Sequence, residues 1–230
     1  MKKIMVLCDD YWHPGEVVER GMRSIRQERY SFDFVRDARD ILTRSFIAGF
    51  PAIIVSKGNQ INGSNATPWF EDGVVEVNPE QFEEYVEKGG SLILIHSGVA
   101  YTEDLPCEKE SFRRPNRAWI GLTGCAFQGH PCRCPVTLQV REASHPIMRN
   151  VENFTEPDEH YLIDLKAEDA QILFQTASVL GGTQPAGFVR SCGRGKIIVL
   201  TPGHTLAVWS NPNYQRIIMN TLDWVTQTGE

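Results

Sequence analysis

Short apolar runs punctuate this chain at residues 3–8, 52–55, 92–95 and 197–200. Runs of this length, bounded by turn residues, read as strands buried on both faces. Between and beyond them the apolar period changes to three or four. Val18, Met22 and Ile25 share one helical face, as do Phe82, Tyr85 and Val86, and Tyr214, Ile217, Ile218, Leu222 and Val225. The second helix is the best marked: Asn78 can cap it, Pro79 fits its first turn, Gln81 takes the capping-box position and Gly89 ends it. Asn211 and Pro212 open the last helix in the same way. Residues 32–35 alternate and predict another strand, and residues 44–48 a short helix. Residues 136–140, 171–176 and 186–190 predict further strands, some of them antiparallel. Strand–helix alternation through the first hundred residues predicts an α/β fold with a mainly parallel sheet and helices packed on it.

Two stretches break the rhythm. Residues 57–77 form a long polar loop ending in an acidic stretch, and loops this long inside a compact domain are often functional. Residues 105–135 read as a second irregular insertion. No internal repeat, low-complexity tract or linker divides the chain, so residues 1–230 are expected to form one domain.

Composition removes several function classes. A net charge of −6, with acidic and basic residues interspersed, lacks the basic patch that a nucleic-acid footprint requires. No apolar run approaches the roughly 20 residues that span a bilayer. The apolar stretch near the start is too short for a signal peptide, and Asp9 and Asp10 follow it, so a cytoplasmic protein is expected. Six scattered cysteines should then be reduced. Cys132 and Cys134 form a C-x-C pair without the spacing of a structural zinc site. Gly181-Gly182-Thr183 lacks a dinucleotide-binding context, and no nucleotide cofactor is expected.

Candidate chemistry lies with the histidines. His96 directly follows one buried run, His204 closes the turn after another, and His13 follows the first. The carboxyl ends of parallel strands line the ligand crevice of an open α/β sheet, so these three imidazoles are expected to face one pocket. Such a pocket suits a divalent metal or metal-free proton transfer, and the residues leave both open. Ser97 does not make a serine hydrolase elbow, because Ile95 and Val99 stand where G-x-S-x-G needs glycines. His145, in His-Pro-Ile, is expected to fix a turn. Trp69 beside the amides of Asn59, Gln60, Asn62, Asn65 and Gln184 would suit a polyhydroxylated ligand, since the ring can cover an apolar sugar face and amides pair with hydroxyls.

Several segments together resemble the ThuA-like (trehalose utilisation) proteins. They are residues 6–14, ending Trp12-His13-Pro14; Leu94-Ile95-His96-Ser97-Gly98; Gly129-His130-Pro131; His145-Pro146-Ile147; Asp158-Glu159-His160-Tyr161; and Pro202-Gly203-His204-Thr205. The order and spacing match over nearly the whole chain. The resemblance implies a flavodoxin-like, three-layer fold similar to class I glutamine amidotransferases. It does not imply their chemistry: His96 occupies the nucleophile elbow in place of Cys, and Leu206 replaces the triad acid after His204. The resemblance adds His130 and the Glu159-His160 pair to the site. It implies a carbohydrate role beside a sugar dehydrogenase that makes 3-keto sugars, whose acidified C–H would allow elimination, hydration or isomerisation. Glu159 or His160 would be the base, with His96 joining the catalytic set. His96, His130 and His204 would hold zinc or manganese or polarise the ketone, and His13, Asn59, Asn62, Trp69 and Gln184 would contact the sugar. A non-catalytic sugar-binding module on the same fold is the alternative, and homo-oligomerisation stays open.

Overall fold

The computed structural model of the chain describes residues 1–25, 28–39, 41–59, 76–101 and 116–227. Its strands are β1 (Lys2–Cys8), β2 (Tyr30–Val35), β3 (Ala52–Ser56), β4 (Ser91–Ile95), β5 (Cys125–Gly129), β6 (Cys134–Val140), β7 (Phe154–Asp158), β8 (Leu162–Leu165), β9 (Gln171–Ser178), β10 (Gly182–Cys192) and β11 (Gly195–Leu200). Its helices are α1 (Gly15–Met22), α2 (Arg44–Ile47), α3 (Pro79–Glu87), α4 (Arg117–Thr123), α5 (Leu206–Ser210) and α6 (Pro212–Thr226).

Nine strands form one sheet in the order β2-β1-β3-β4-β11-β10-β9-β6-β7, and β5 pairs with β8 in a separate antiparallel ribbon. The first five strands are parallel, and each later pairing is antiparallel. The sheet is therefore mixed where a mainly parallel one was expected. Its parallel half carries the apolar runs, because only there do helices cover both faces. On one face Ile4, Val6, Ile54, Ile93, Ile198 and Leu200 meet Val18, Met22, Trp209, Ile217 and Ile218 of α1, α5 and α6. On the other, Met5, Leu7, Ile53, Val55, Leu92, Leu94 and Val199 meet Ile47, Phe82, Val86 and Trp119 of α2, α3 and α4. Fully burying such a side chain contributes about 1.5–3 kcal/mol.

The helix signals act as anticipated. Asn78 accepts from the backbone N–H groups of Glu80 and Gln81, and Gly89 follows α3 at φ 110°. Asn211 caps α6 through the N–H of Asn213. The insertion expected to be irregular contains α4 and β5. β7 and β8 also lacked a readable pattern: β7 is an edge strand carrying Glu156 and Pro157, with Pro157 opposite Pro135 of β6. Proline is tolerated at such an edge because no ladder partner needs its missing N–H. Most of the polar loop, at 60–75, lies outside the described residues. Where it rejoins the fold, Glu76 meets the fully buried Lys57 at 2.6 Å and accepts from the Ala38 N–H.

Candidate functional site

Three parallel strands and one antiparallel turn converge on a buried cluster. His96 directly follows β4, His13 lies five residues beyond β1, His204 lies four residues beyond β11, and Glu159 follows β7. One ligand atom from each of His13, His96, Glu159 and His204 lies within 4.8 Å of all the others. The imidazoles meet edge to face, with ring centroids 5.0, 5.1 and 5.4 Å apart.

Second partners fix each ring. Asp10 is fully buried; its Oδ1 takes the backbone N–H of Trp12 and His13 and lies 2.7 Å from His13 Nδ1, while its Oδ2 takes the Gly58 N–H. A carboxylate only accepts, so His13 Nδ1 carries a proton. His96 Nδ1 lies 2.8 Å from the Thr201 carbonyl oxygen, which assigns the same tautomer. Its Nε2 is buried, has no hydrogen-bond partner among the described residues, and stands 3.4 Å from Glu159 Oε2. Two acceptor atoms thus face each other. His204 Nε2 accepts from Arg133 at 2.5 Å, and its Nδ1 points to Glu159 Oε2 at 3.1 Å. Asp158 places this third ring: its carboxylate accepts from the backbone N–H groups of Gly203, His204 and Thr205 at 2.9, 3.0 and 3.2 Å.

The turn after β4 is held under strain. His96 has φ 48°, left-handed backbone that a non-glycine residue rarely adopts. A side chain at Gly98 would place its Cβ 2.1 Å from the Val55 carbonyl oxygen, so only glycine lets the turn lie so close to β3. Strain of this kind costs about 1–3 kcal/mol and persists where the surroundings impose it.

Electrostatics sharpen the contrast between partners. Burial lowers the His96 pKa despite Glu159, keeping the ring neutral. Burial alone would raise Glu159, but the His204 and His96 imidazoles outweigh it and hold the carboxyl well below the usual range. For His13 burial favours the neutral ring, yet Asp10 prevails and raises its pKa.

The expected site residues do not all converge. His13, His96, His204 and Glu159 come together. His130 stands at the margin, half exposed, with Nε2 3.4 Å from Glu159 and Nδ1 on the Pro131 carbonyl; it lies outside the four-residue set, and His13 takes the place assigned to it. His160 faces elsewhere: its Nδ1 meets Ser178 at 2.7 Å and its Nε2 meets Thr176 at 3.0 Å, which ties it to β9. Gln184 donates to the Gly181 carbonyl within the β9–β10 hairpin. Asn59 adjoins Gly58, the donor to Asp10, whereas Asn62 and Trp69 lie outside the described residues. His145 accepts from the Ile147 N–H in a turn, as anticipated. Sequence reasoning missed the orienting roles of Asp10 and Asp158, the Arg133 contact, and Tyr161, whose ring lies 3.9 Å from that of His96. Among the described residues no helix is long and apolar enough to cross a membrane.

The model of the ThuA family, described as trehalose utilisation, matches residues 10–225. A ThuA-like protein from Bacteroides uniformis ATCC 8492 superposes with a TM-score of 0.71 at 16% identity, covering 98% of this chain and 91% of that one. A second, from Parabacteroides merdae ATCC 43184, gives 0.68 at 15% identity over 99% and 92%. A cytoplasmic protein of Salmonella typhimurium LT2 gives 0.68 at 14% identity over 99% and 100%. At these identities the likeness shows the shared fold alone. No curated protein matches the sequence.

Proposed function

The chain belongs to the ThuA family of trehalose utilisation, and on that premise we propose that it is a divalent-metal enzyme acting on a trehalose-related sugar, most simply its 3-keto derivative. One observation carries the metal reading: the buried His96 Nε2 has no hydrogen-bond partner among the described residues and stands 3.4 Å from Glu159 Oε2, another acceptor. A cation between them turns that repulsion into two bonds. His13 and His204 complete a three-nitrogen, one-oxygen set, which suits zinc and also manganese. Asp10 behind His13 and the Thr201 carbonyl behind His96 supply the outer hydrogen bonds that orient metal-ligating imidazoles. For His204 to join through Nδ1, its Nε2 must take the proton and Arg133 must turn away.

A bound divalent ion would polarise a ketone or hydroxyl oxygen of the sugar. The protein's own groups would do the rest. Glu159, held as an anion by its imidazole neighbours, is better suited to ligation than to carrying a proton. His130, at the margin with access to solvent, is the imidazole placed to move a proton between sugar and water. Elimination, hydration or isomerisation next to a C3 ketone would all use this pair of functions, and a sugar dehydrogenase would supply the substrate.

The test begins with protein stripped by chelator and titrated calorimetrically with zinc and with manganese. Wild type, His145→Ala and His160→Ala should bind one ion per chain, whereas His13→Ala, His96→Ala, Glu159→Gln and His204→Ala should each bind at least tenfold more weakly. Loaded protein is then incubated with trehalose and 3-keto-trehalose and the products identified. A folded wild type that takes up neither ion rules out the metal reading, and an unchanged pair of sugars in the presence of bound ion rules out the enzyme.

A further inference from the structure

The hydroxyl of Ser97 is unused by the arrangement above. Ser97 is 1% exposed, and its Oγ has no hydrogen-bond partner among the described residues. It lines the same small cleft as His13, Ser56, His96, Gly203 and His204. A buried hydroxyl with no protein partner is costly unless something entering the cleft completes it. The cost could be avoided cheaply by alanine, which has nearly the same shape. The turn that presents Ser97 is itself strained, with His96 in left-handed backbone and Gly98 against the Val55 carbonyl. An unpaired polar atom on a strained turn at the wall of a cleft marks a contact completed by something that enters the cleft.

We propose that Ser97 is a ligand-contact residue whose hydroxyl hydrogen-bonds an oxygen of the bound sugar derivative. The inference rests on the carbohydrate reading and deepens it. A hydroxyl both donates and accepts, so it can meet a sugar hydroxyl or a ketone oxygen. It is a weak partner for a cation beside three imidazoles and a carboxylate. Its position directly after His96 puts the contacted oxygen at the cluster.

Zinc-loaded wild type, Ser97→Ala and Ser97→Cys are compared by calorimetric titration with trehalose and with 3-keto-trehalose. Zinc affinity and melting temperature are measured in parallel. Both variants should keep wild-type zinc affinity, melt at the same temperature or higher, and bind the preferred sugar roughly fivefold to tenfold more weakly, as expected for one hydrogen bond to a neutral oxygen. Equal sugar affinity in all three proteins overturns the role of Ser97 and leaves the carbohydrate reading standing. A drop in zinc affinity would place Ser97 among the ion's ligands, and a lower melting temperature would make it structural; either overturns the proposal. If wild type binds neither sugar, the carbohydrate reading falls and the role of Ser97 falls with it.

Discussion

Replacing Asp158 by alanine should loosen the loop that carries His204 before it disturbs anything else. The carboxylate holds three consecutive backbone N–H groups, from Gly203, His204 and Thr205. The Gly203 bond is buried, and the other two are partly so. Leaving one buried donor unpaired costs about 1–3 kcal/mol, and each partly buried bond contributes about 0.5–1 kcal/mol. The sum centres on about 3.5 kcal/mol, and at about 2–4 °C per kcal/mol for a chain of this size the melting temperature should fall by about 7–14 °C. Asp158→Asn should cost less, since its one remaining oxygen can still hold His204 and Thr205 while the Gly203 donor is lost. Urea unfolding of the three proteins at neutral pH measures this directly. If the alanine variant unfolds within ~0.5 kcal/mol of wild type, with an unchanged denaturant slope, the three bonds do not hold the loop and the account of how His204 is placed is wrong.

Two further outcomes follow from the charge environment. The Asp10 pKa is lowered because His13 and the backbone donors of Gly58 and Trp12 outweigh burial, and that of His13 is raised by Asp10. Asp10 therefore stabilises fully above about pH 4 and loses this as pH falls through its folded value, whereas the His13 contribution is full below about pH 6.5 and fades as pH rises through its raised value. Melting curves should show Asp10→Asn costing most between these limits and least in strong acid; a cost independent of pH would contradict the pairing. Burial pushes the thiols of Cys8 and Cys125 up to about 12, while Cys132 is exposed. A disulfide reagent at neutral pH should label Cys132 rapidly and leave Cys8 and Cys125 untouched until urea is added, as read by peptide mass mapping; early labelling of either buried thiol would refute their placement.

What could be read from the chain tracks how strongly each element depends on its own residues. His13, His96 and His204 were legible because each follows an apolar run that only a covered parallel strand explains. Glu159 needed β7 and β8, whose residues are half exposed and interrupted by Pro157, so resemblance supplied it where pattern could not. His160 adjoins Glu159 in the chain, but its ring meets Thr176 and Ser178 of β9. His130 was expected in the inner set, but its ring stays at the solvent margin. Asp10 and Asp158 act on backbone N–H groups, and such bonds have no side-chain spacing to betray them. The antiparallel half of the sheet was under-read because its strands are covered less evenly than the parallel ones.

The four cluster residues are numbered 13, 96, 159 and 204, so each is separated from the next by at least 45 positions along the chain. Bringing all four together requires closing long loops, an entropy cost that the paired sheet repays. An ion held by all four would favour the native state. At one hundred times its dissociation constant it would add about 2.7 kcal/mol to the stability of the whole molecule. If the proposed ion is bound there, metal supply would set how readily a copy of this protein opens to proteolysis, independently of any reaction it performs.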